Sequence, residues 1–274
     1  MVQFANAKIN IGLQVLSRRK DGYHNLETVF YPIPLYNIVE VVPAARLAFF
    51  PSGLAIPGNP ADNLCLKAYH VLAEAFDLPP VGIYLHKTIP MGAGLGGGSS
   101  DATAVLKALN LLFSLQLDDV ALESYAVRLG ADCAFFVRNR PVFATGIGTD
   151  FKEIDLDLSG YKLLLLKPDI HISTAEAYSG VIPRAAGRGL ESAIILPPAT
   201  WKDRVSNDFE QAVFQKYPEL ERLKALLYDL GAEYAAMSGS GSTMYGLFKE
   251  GISLDEVAEV EKSYAGLYLK QMTL

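Results

Sequence analysis

Residues 90–101 read Pro90-Met91-Gly92-Ala93-Gly94-Leu95-Gly96-Gly97-Gly98-Ser99-Ser100-Asp101. Glycine is the residue that loses most freedom on folding, so five of them between positions 92 and 98 are costly to order. A simple turn needs one or two. Upstream, Val81, Ile83 and Leu85 alternate as in a strand. Downstream, Val105, Leu106, Leu109, Leu112 and Phe113 repeat as on an amphipathic helix over Ala102–Phe113. A glycine run between strand and helix brings backbone N–H groups onto an anion at the positive end of the helix. Ser99 and Ser100 can cap the helix or bind phosphate and a metal-bound water.

Three phosphate-binding patterns compete for this run. A P-loop requires Lys directly after its last glycine, and Ser99 stands there. Gly92, Gly94 and Gly97 match the dinucleotide spacing, but the βαβ context is missing: Asp118 and Asp119, about 20 residues on, follow one helix and precede another instead of ending a second strand. A flexible linker is at odds with Pro90 and the helix, which clamp both ends.

The chain outside the run reads as a mixture. Asn6, Lys8 and Asn10 share one face of an extended segment, with Ala7, Ile9 and Ile11 on the other. Strands are expected over Glu27–Tyr31 and Ile38–Val42, and loops between Pro43 and Pro60. A helix is expected over Asn63–Phe76, with Asp62 as its cap. Further helices are expected over Leu122–Leu129, Asp208–Gln215, Glu219–Leu230 and Leu254–Tyr264. Strands are expected over Ala134–Val137, Val142–Ala144 and Lys162–Leu166, through Phe248, and at the C-terminus. A second glycine turn, Ser238-Gly239-Ser240-Gly241-Ser242, precedes the strand through Phe248. Without a regular βαβ rhythm the class is α+β. The domains are expected at residues 1–155 and 156–274.

Composition narrows the function. The net charge of −6 disfavours a dedicated nucleic-acid binder. Cys65 and Cys133 are too few for a disulfide framework and fit a reducing compartment. With no leader pattern and no apolar run long enough to span a bilayer, a cytoplasmic protein with no membrane partner is expected. The four histidines and two cysteines lack metal-ligand spacing. Asp132, just before an apolar stretch, can cap a helix or turn, or stand at the mouth of a site, where it can accept a hydroxyl proton and a nearby Lys would keep it ionised.

Ala5-Asn6-Ala7-Lys8-Ile9-Asn10-Ile11-Gly12-Leu13, the glycine run and the second glycine turn occur in that order. Together they resemble the GHMP kinase superfamily, which includes galactokinase, homoserine kinase, mevalonate kinase and phosphomevalonate kinase. Asp21-Gly22-Tyr23-His24-Asn25-Leu26 and Gly130-Ala131-Asp132 sharpen the likeness. They resemble the branch that phosphorylates the 2-hydroxyl of a cytidine diphosphate methylerythritol in the non-mevalonate isoprenoid pathway, with ATP and Mg²⁺. The likeness runs from about Ala5 to Phe248. It implies a two-domain fold, with an N-terminal domain like the second domain of ribosomal protein S5 and a ferredoxin-like C-terminal domain.

The resemblance also implies roles. Lys8 and Asp132 match the catalytic pair. Pro90, Met91, Gly92, Ala93, Gly94, Leu95, Gly96, Gly97, Gly98, Ser99 and Ser100 would hold the ATP phosphates, with Asn63 near the adenine. Asn10 would contact the acceptor. Tyr23 and His24 would bind its cytosine, with Phe30 close by and Tyr178 stacking, and Thr174 would meet its diphosphate. No protein metal site is implied, and the assembly expected is a monomer or weak homodimer. Two positions depart from the branch. Cys133-Ala134 replace Val-Pro or Ile-Pro after the Asp. Asp101 stands where Asn is frequent, and it is expected to cap the helix.

Overall fold

The computed structural model describes residues 1–184, 189–264 and 266–274. In chain order the elements are β1 (Val2–Arg18), β2 (His24–Pro43), β3 (Ala48–Gly53), α1 (Leu64–Phe76), β4 (Val81–Lys87) and α2 (Gly97–Leu112). Next come α3 (Asp119–Val127), α4 (Phe135–Arg138), β5 (Val142–Thr145), β6 (Asp150–Glu153), β7 (Lys162–Lys167), α5 (Thr174–Ser179) and α6 (Leu190–Ile194). The chain closes with α7 (Glu210–Lys216), α8 (Pro218–Asp229), β8 (Tyr234–Met237), β9 (Met244–Phe248), α9 (Leu254–Ser263) and β10 (Tyr268–Thr273). Among the described residues no helix is long and apolar enough to cross a membrane. The chain divides into two compact units with interleaved segments. One comprises Met1–Lys8, Leu35–Met91 and Gly96–Arg140; the other comprises Ile9–Pro34, Gly92–Leu95 and Pro141–Leu274.

In the first unit, β4 pairs antiparallel with the second half of β2 and parallel with β3. Alternation decides what is buried. Asn37, Val39 and Val41 of β2, with Ile83, Leu85 and Lys87 of β4, face inward, while Ile38, Glu40, Tyr84 and His86 are exposed. α1 and α2 pack together, contributing Leu72, Val105 and Leu109 to the core. Two of the inward positions are polar, and both are answered from α2. Lys87 Nζ forms an ion pair with Asp101 Oδ2, and Asn37 Nδ2 donates to Asp101 Oδ1 at 2.7 Å. Asn37 Oδ1 accepts from the amides of Thr88 and Ile89 at 2.8 and 2.9 Å. Burial lifts the Asp101 carboxyl above its ordinary range, against the opposing pull of Lys87 and Asn37.

In the second unit, the first half of β2 pairs with β5, and β5 with β6. A separate antiparallel sheet has the order β10-β7-β9-β8. Its strands connect as β-α-β-β-α-β, the ferredoxin-like pattern, because helices separate β7 from β8 and α9 separates β9 from β10. Leu164, Leu166, Met237 and Met244 of this sheet share a core with Leu220, Leu223 and Leu227 of α8. Glu210 on α7 is buried between Lys224 Nζ at 2.6 Å and the amide of Met237 at 2.8 Å.

Several boundaries differ from the sequence reading. β2 is one strand, not two. Pro32 and Pro34 lie between the stretch paired with β5 and the stretch paired with β4, so neither of those two ladders needs their missing N–H. β3 was expected to be loop because of Pro51 and Gly53, which its edge position tolerates. Residues 135–138 are α4 rather than strand: Phe135, Phe136 and Val137 are all buried, so no alternation marks the period. Asn63, not Asp62, caps α1, accepting from Cys65 N at 2.9 Å. Replacing Asp101 by Ala leaves Lys87 as an uncompensated buried charge. This costs about 3–5 kcal/mol, read as a lower urea midpoint; an unchanged midpoint would refute the role assigned to the pair.

Candidate active site

In the first unit the site begins where α2 begins. The helix starts at Gly97, inside the glycine run and five residues earlier than periodicity predicts, because glycines hide the start of an apolar pattern. Gly96 is its N-cap at φ 68°, with no side chain to cap it. The first helical bond runs from Ser100 N to Gly96 O at 2.9 Å. The amides of Gly97, Gly98 and Ser99 precede that bond and have no intrahelical acceptor, so they present donors and the positive helix end. A Cβ on Gly96 would lie 3.1 Å from Lys8 Cγ and Cε and 2.9 Å from Phe136 Cζ. The lysine stem thus occupies the space a side chain would need.

Lys8 Nζ lies 3.3 Å from Asp132 Oδ2; the lysine side chain is 4% exposed and the aspartate 34%. Asp132 sits on a turn closed by the bond from Cys133 N to Gly130 O, 3.1 Å long. Thr103 Oγ1 on α2 lies 2.8 Å from Cys133 O and 3.0 Å from Ser99 O, tying that turn to the start of the helix. Burial pushes the Cys133 thiol up to about 12, which makes it unreactive. Asp101 makes no capping bond to α2; its carboxylate is taken up by Lys87 and Asn37. This corrects the expectation of a cap. A cavity of about 260 Å³ in the same unit is lined by Phe49, Ile56, Pro57, Asn63, Leu85 and Met91, among others. Asn63 therefore both caps α1 and borders an apolar cavity.

In the second unit Gly92 and Gly94 have φ of 58° and 76°. A Cβ on Gly94 would stand 1.9 Å from Ser238 O. Ser238 Oγ donates to Gly94 O at 2.8 Å and accepts from Asn10 N at 3.1 Å. The two glycine turns thus touch through their backbones. Asn10 is buried, and its Nδ2 donates to Thr28 Oγ1 at 2.9 Å. His24 and Tyr178 stack on each other, centroids 4.6 Å apart and planes at 15°. Tyr178 also meets Phe209 edge-on at 4.8 Å. Burial, reinforced by Arg18, lowers the His24 pKa and favours the neutral ring, which offers one donor and one acceptor. Tyr23 is 62% exposed and Thr174 is exposed at the start of α5. Phe30 is buried against Phe151.

Models of two families match this chain: the GHMP kinases N terminal domain over residues 63–140 and the GHMP kinases C terminal over residues 199–265. A Bacteroides fragilis protein named 4-diphosphocytidyl-2-C-methyl-D-erythritol kinase is 53% identical over 252 residues, covering 90% of this chain and 92% of that one. This chain belongs to the 4-diphosphocytidyl-2-C-methyl-D-erythritol kinases, within the GHMP kinase family. A Porphyromonas gingivalis member of the same name is 47% identical, covering 94% and 96% of the two chains. A crystal structure of a 4-(cytidine 5'-diphospho)-2C-methyl-D-erythritol kinase superposes with a TM-score of 0.84 at 32% identity over the whole of both chains. Methanococcus jannaschii mevalonate kinase shares the fold, with a TM-score of 0.74 at 14% identity, over 100% and 98% of the chains.

The GHMP kinase fold also uses residues that spacing does not reveal. Asn207 is buried, and its Nδ2 donates to Met237 O and Gly239 O at 2.8 Å each. It holds the second glycine turn in place. A single Asn carries no periodic signal, and its partners lie some thirty residues on. Thr103 is equally silent, a small residue inside a helix. Ala at position 94 must adopt a left-handed conformation, at about 1–2 kcal/mol, and displace Ser238, so the urea midpoint of Gly94→Ala falls. Gly98→Ala places its Cβ 3.8 Å from Leu64 Cδ1 and loses no stability. Equal midpoints for the two variants would contradict this account of the cradle.

Proposed function

We propose that this kinase transfers the γ-phosphoryl group of ATP to the 2-hydroxyl of 4-diphosphocytidyl-2-C-methyl-D-erythritol, in non-mevalonate isoprenoid precursor synthesis. The observation that carries the chemistry is the Lys8–Asp132 contact, 3.3 Å long, packed against Gly96 at the start of α2. Lys8 and Asp132 are the proposed catalytic pair. Asp132 accepts or orients the proton of the acceptor hydroxyl. Lys8 orients the carboxylate and offsets charge on the reacting oxygens. The hydroxyl oxygen bonds to the γ-phosphorus as the bridge between the β- and γ-phosphates breaks, giving ADP and a phosphate ester. Such transfer depends on positioning and electrostatics more than on a strong base.

Pro90 through Ser100 are the proposed phosphate cradle. The fit rests on two features: backbone donors at an α-helix start, and four glycines, Gly92, Gly94, Gly96 and Gly97, where a Cβ would strike neighbouring atoms. Asn63, on the border of an apolar cavity, is the proposed adenine contact. Among the described residues no three His, Cys, Asp or Glu side chains cluster to hold a metal. Mg²⁺ in this reading would arrive with the triphosphate, whose charge it would offset. Tyr23, His24 and Tyr178 are the proposed cytosine site, with Phe30 close by, Thr174 at the acceptor diphosphate and Asn10 on the acceptor side. The His24–Tyr178 stack supports this, since a ring pair with a neutral imidazole can read one base by stacking and edge bonds. We also propose a cytoplasmic monomer or weak homodimer, with a domain boundary at residues 155 to 156, ahead of the sheet that starts with β7.

Supplied with Mg-ATP, the protein releases ADP with the cytidine diphosphate substrate and not with mevalonate or homoserine. ADP release driven by either control would overturn the assignment. Asp132→Asn and Lys8→Met each lower kcat by about 10²–10⁴ with little change in KM. His24→Ala raises KM for the cytidine substrate roughly tenfold and leaves that for ATP unchanged, the cost of one lost stacking contact; an unchanged cytidine KM would make His24 structural.

A further inference from the structure

We infer that His171 is a further phosphate-binding residue, donating a ring N–H to a phosphate oxygen at the first glycine of the cradle. A Cβ on Gly92 would lie 2.7 Å from both His171 Nδ1 and Cε1, so the imidazole covers the face of Gly92 where a side chain would be. The ring occupies the only direction in which that glycine could carry bulk. His171 is nonetheless exposed, and among the described residues neither of its nitrogens has a hydrogen-bond partner. The imidazole therefore presents its donor to solvent beside the glycine run, with nothing in its own unit to use it.

The backbone on both sides of His171 is fixed to the second glycine turn. Ser242 Oγ donates to Ile170 O at 2.5 Å. Ile172 is 2% exposed, and its Cδ1 would lie 3.3 Å from a Cβ on Gly241. That turn in turn meets Gly94 through Ser238. The two glycine turns thus set the place of His171. Thr174, the proposed contact for the acceptor diphosphate, follows three residues later. Either protonation state of imidazole retains one N–H, and a hydrogen bond from it to an anionic oxygen is stronger than one between neutral groups. The oxygen belongs to the donor triphosphate or to the acceptor diphosphate, and the kinetic arms below separate them.

This inference rests on the kinase reading above. KM for ATP and for the cytidine substrate is measured on wild type, His171→Ala and His171→Gln, with thermal midpoints. His171→Ala raises one of the two KM values about tenfold, the scale of a lost hydrogen bond to a charged group, and leaves the other within about twofold. His171→Gln, which keeps an N–H donor, recovers most of the loss. A rise for ATP assigns the contact to the donor, and a rise for the cytidine substrate assigns it to the acceptor. If the Ala variant does not fold, His171→Phe keeps the ring without the donor and is read for the same split. Both KM values within about twofold of wild type in a folded variant overturn the inference. So does a joint rise with a lowered thermal midpoint, the mark of a structural role. A wild type that releases no ADP overturns the kinase reading, and the role of His171 with it.

Discussion

Gly96 has no room for a side chain because Lys8 fills it. A Cβ there would press on Lys8 Cγ and Cε at 3.1 Å, and the φ of 68° is one that side-chain-bearing residues rarely adopt. That one constraint joins two pieces of chemistry. The residue that opens α2, and so aims its free amides, is the residue against which the lysine packs. The lysine in turn meets Asp132, and Thr103 ties the Asp132 turn back to the same helix. The glycine run and the ion pair share one frame, so neither depends on a flexible loop for its place.

A second constraint lies beneath the first. Lys87 faces the interior of the first unit because strand alternation puts it there, and only a buried carboxylate makes that position tolerable. Asp101 supplies it from α2. A buried pair of this kind is weak evidence for net stability, but it fixes which residue of α2 faces which strand. A Cβ on Gly97 would reach within 3.4 Å of Lys87 Nζ and 2.9 Å of Ile89 Cγ2. The floor of the glycine run is thus packed, and the run keeps its shape by contact rather than by its own preference. In the second unit Asn207 and Ser238 do the same for the other glycine turn.

Much of this was legible in sequence, for reasons that differ by residue. The glycine run was readable because its composition is extreme, and Lys8 because it breaks an apolar strand beside two asparagines. The start of α2 was not, since glycines carry no periodicity. Residues 135–137 misled because buried residues of a helix turn and of a strand present the same apolar letters. Pro32 and Pro34 split β2 on paper but not in space. Asp101 looked like a cap from its place in the chain; its partners Asn37 and Lys87 are fixed only by the register of β2 on β4. His171 and Asn207 had no signal at all, because what they touch is set by backbone turns far away in sequence.

In the proposed mechanism Lys8 and Asp132 act as one unit on the acceptor hydroxyl. A double-mutant cycle on kcat with Lys8→Met and Asp132→Asn tests it most directly. If they act together, the double variant loses no more than the worse single variant. If the two losses multiply instead, the residues act independently and the pair is not the catalytic unit.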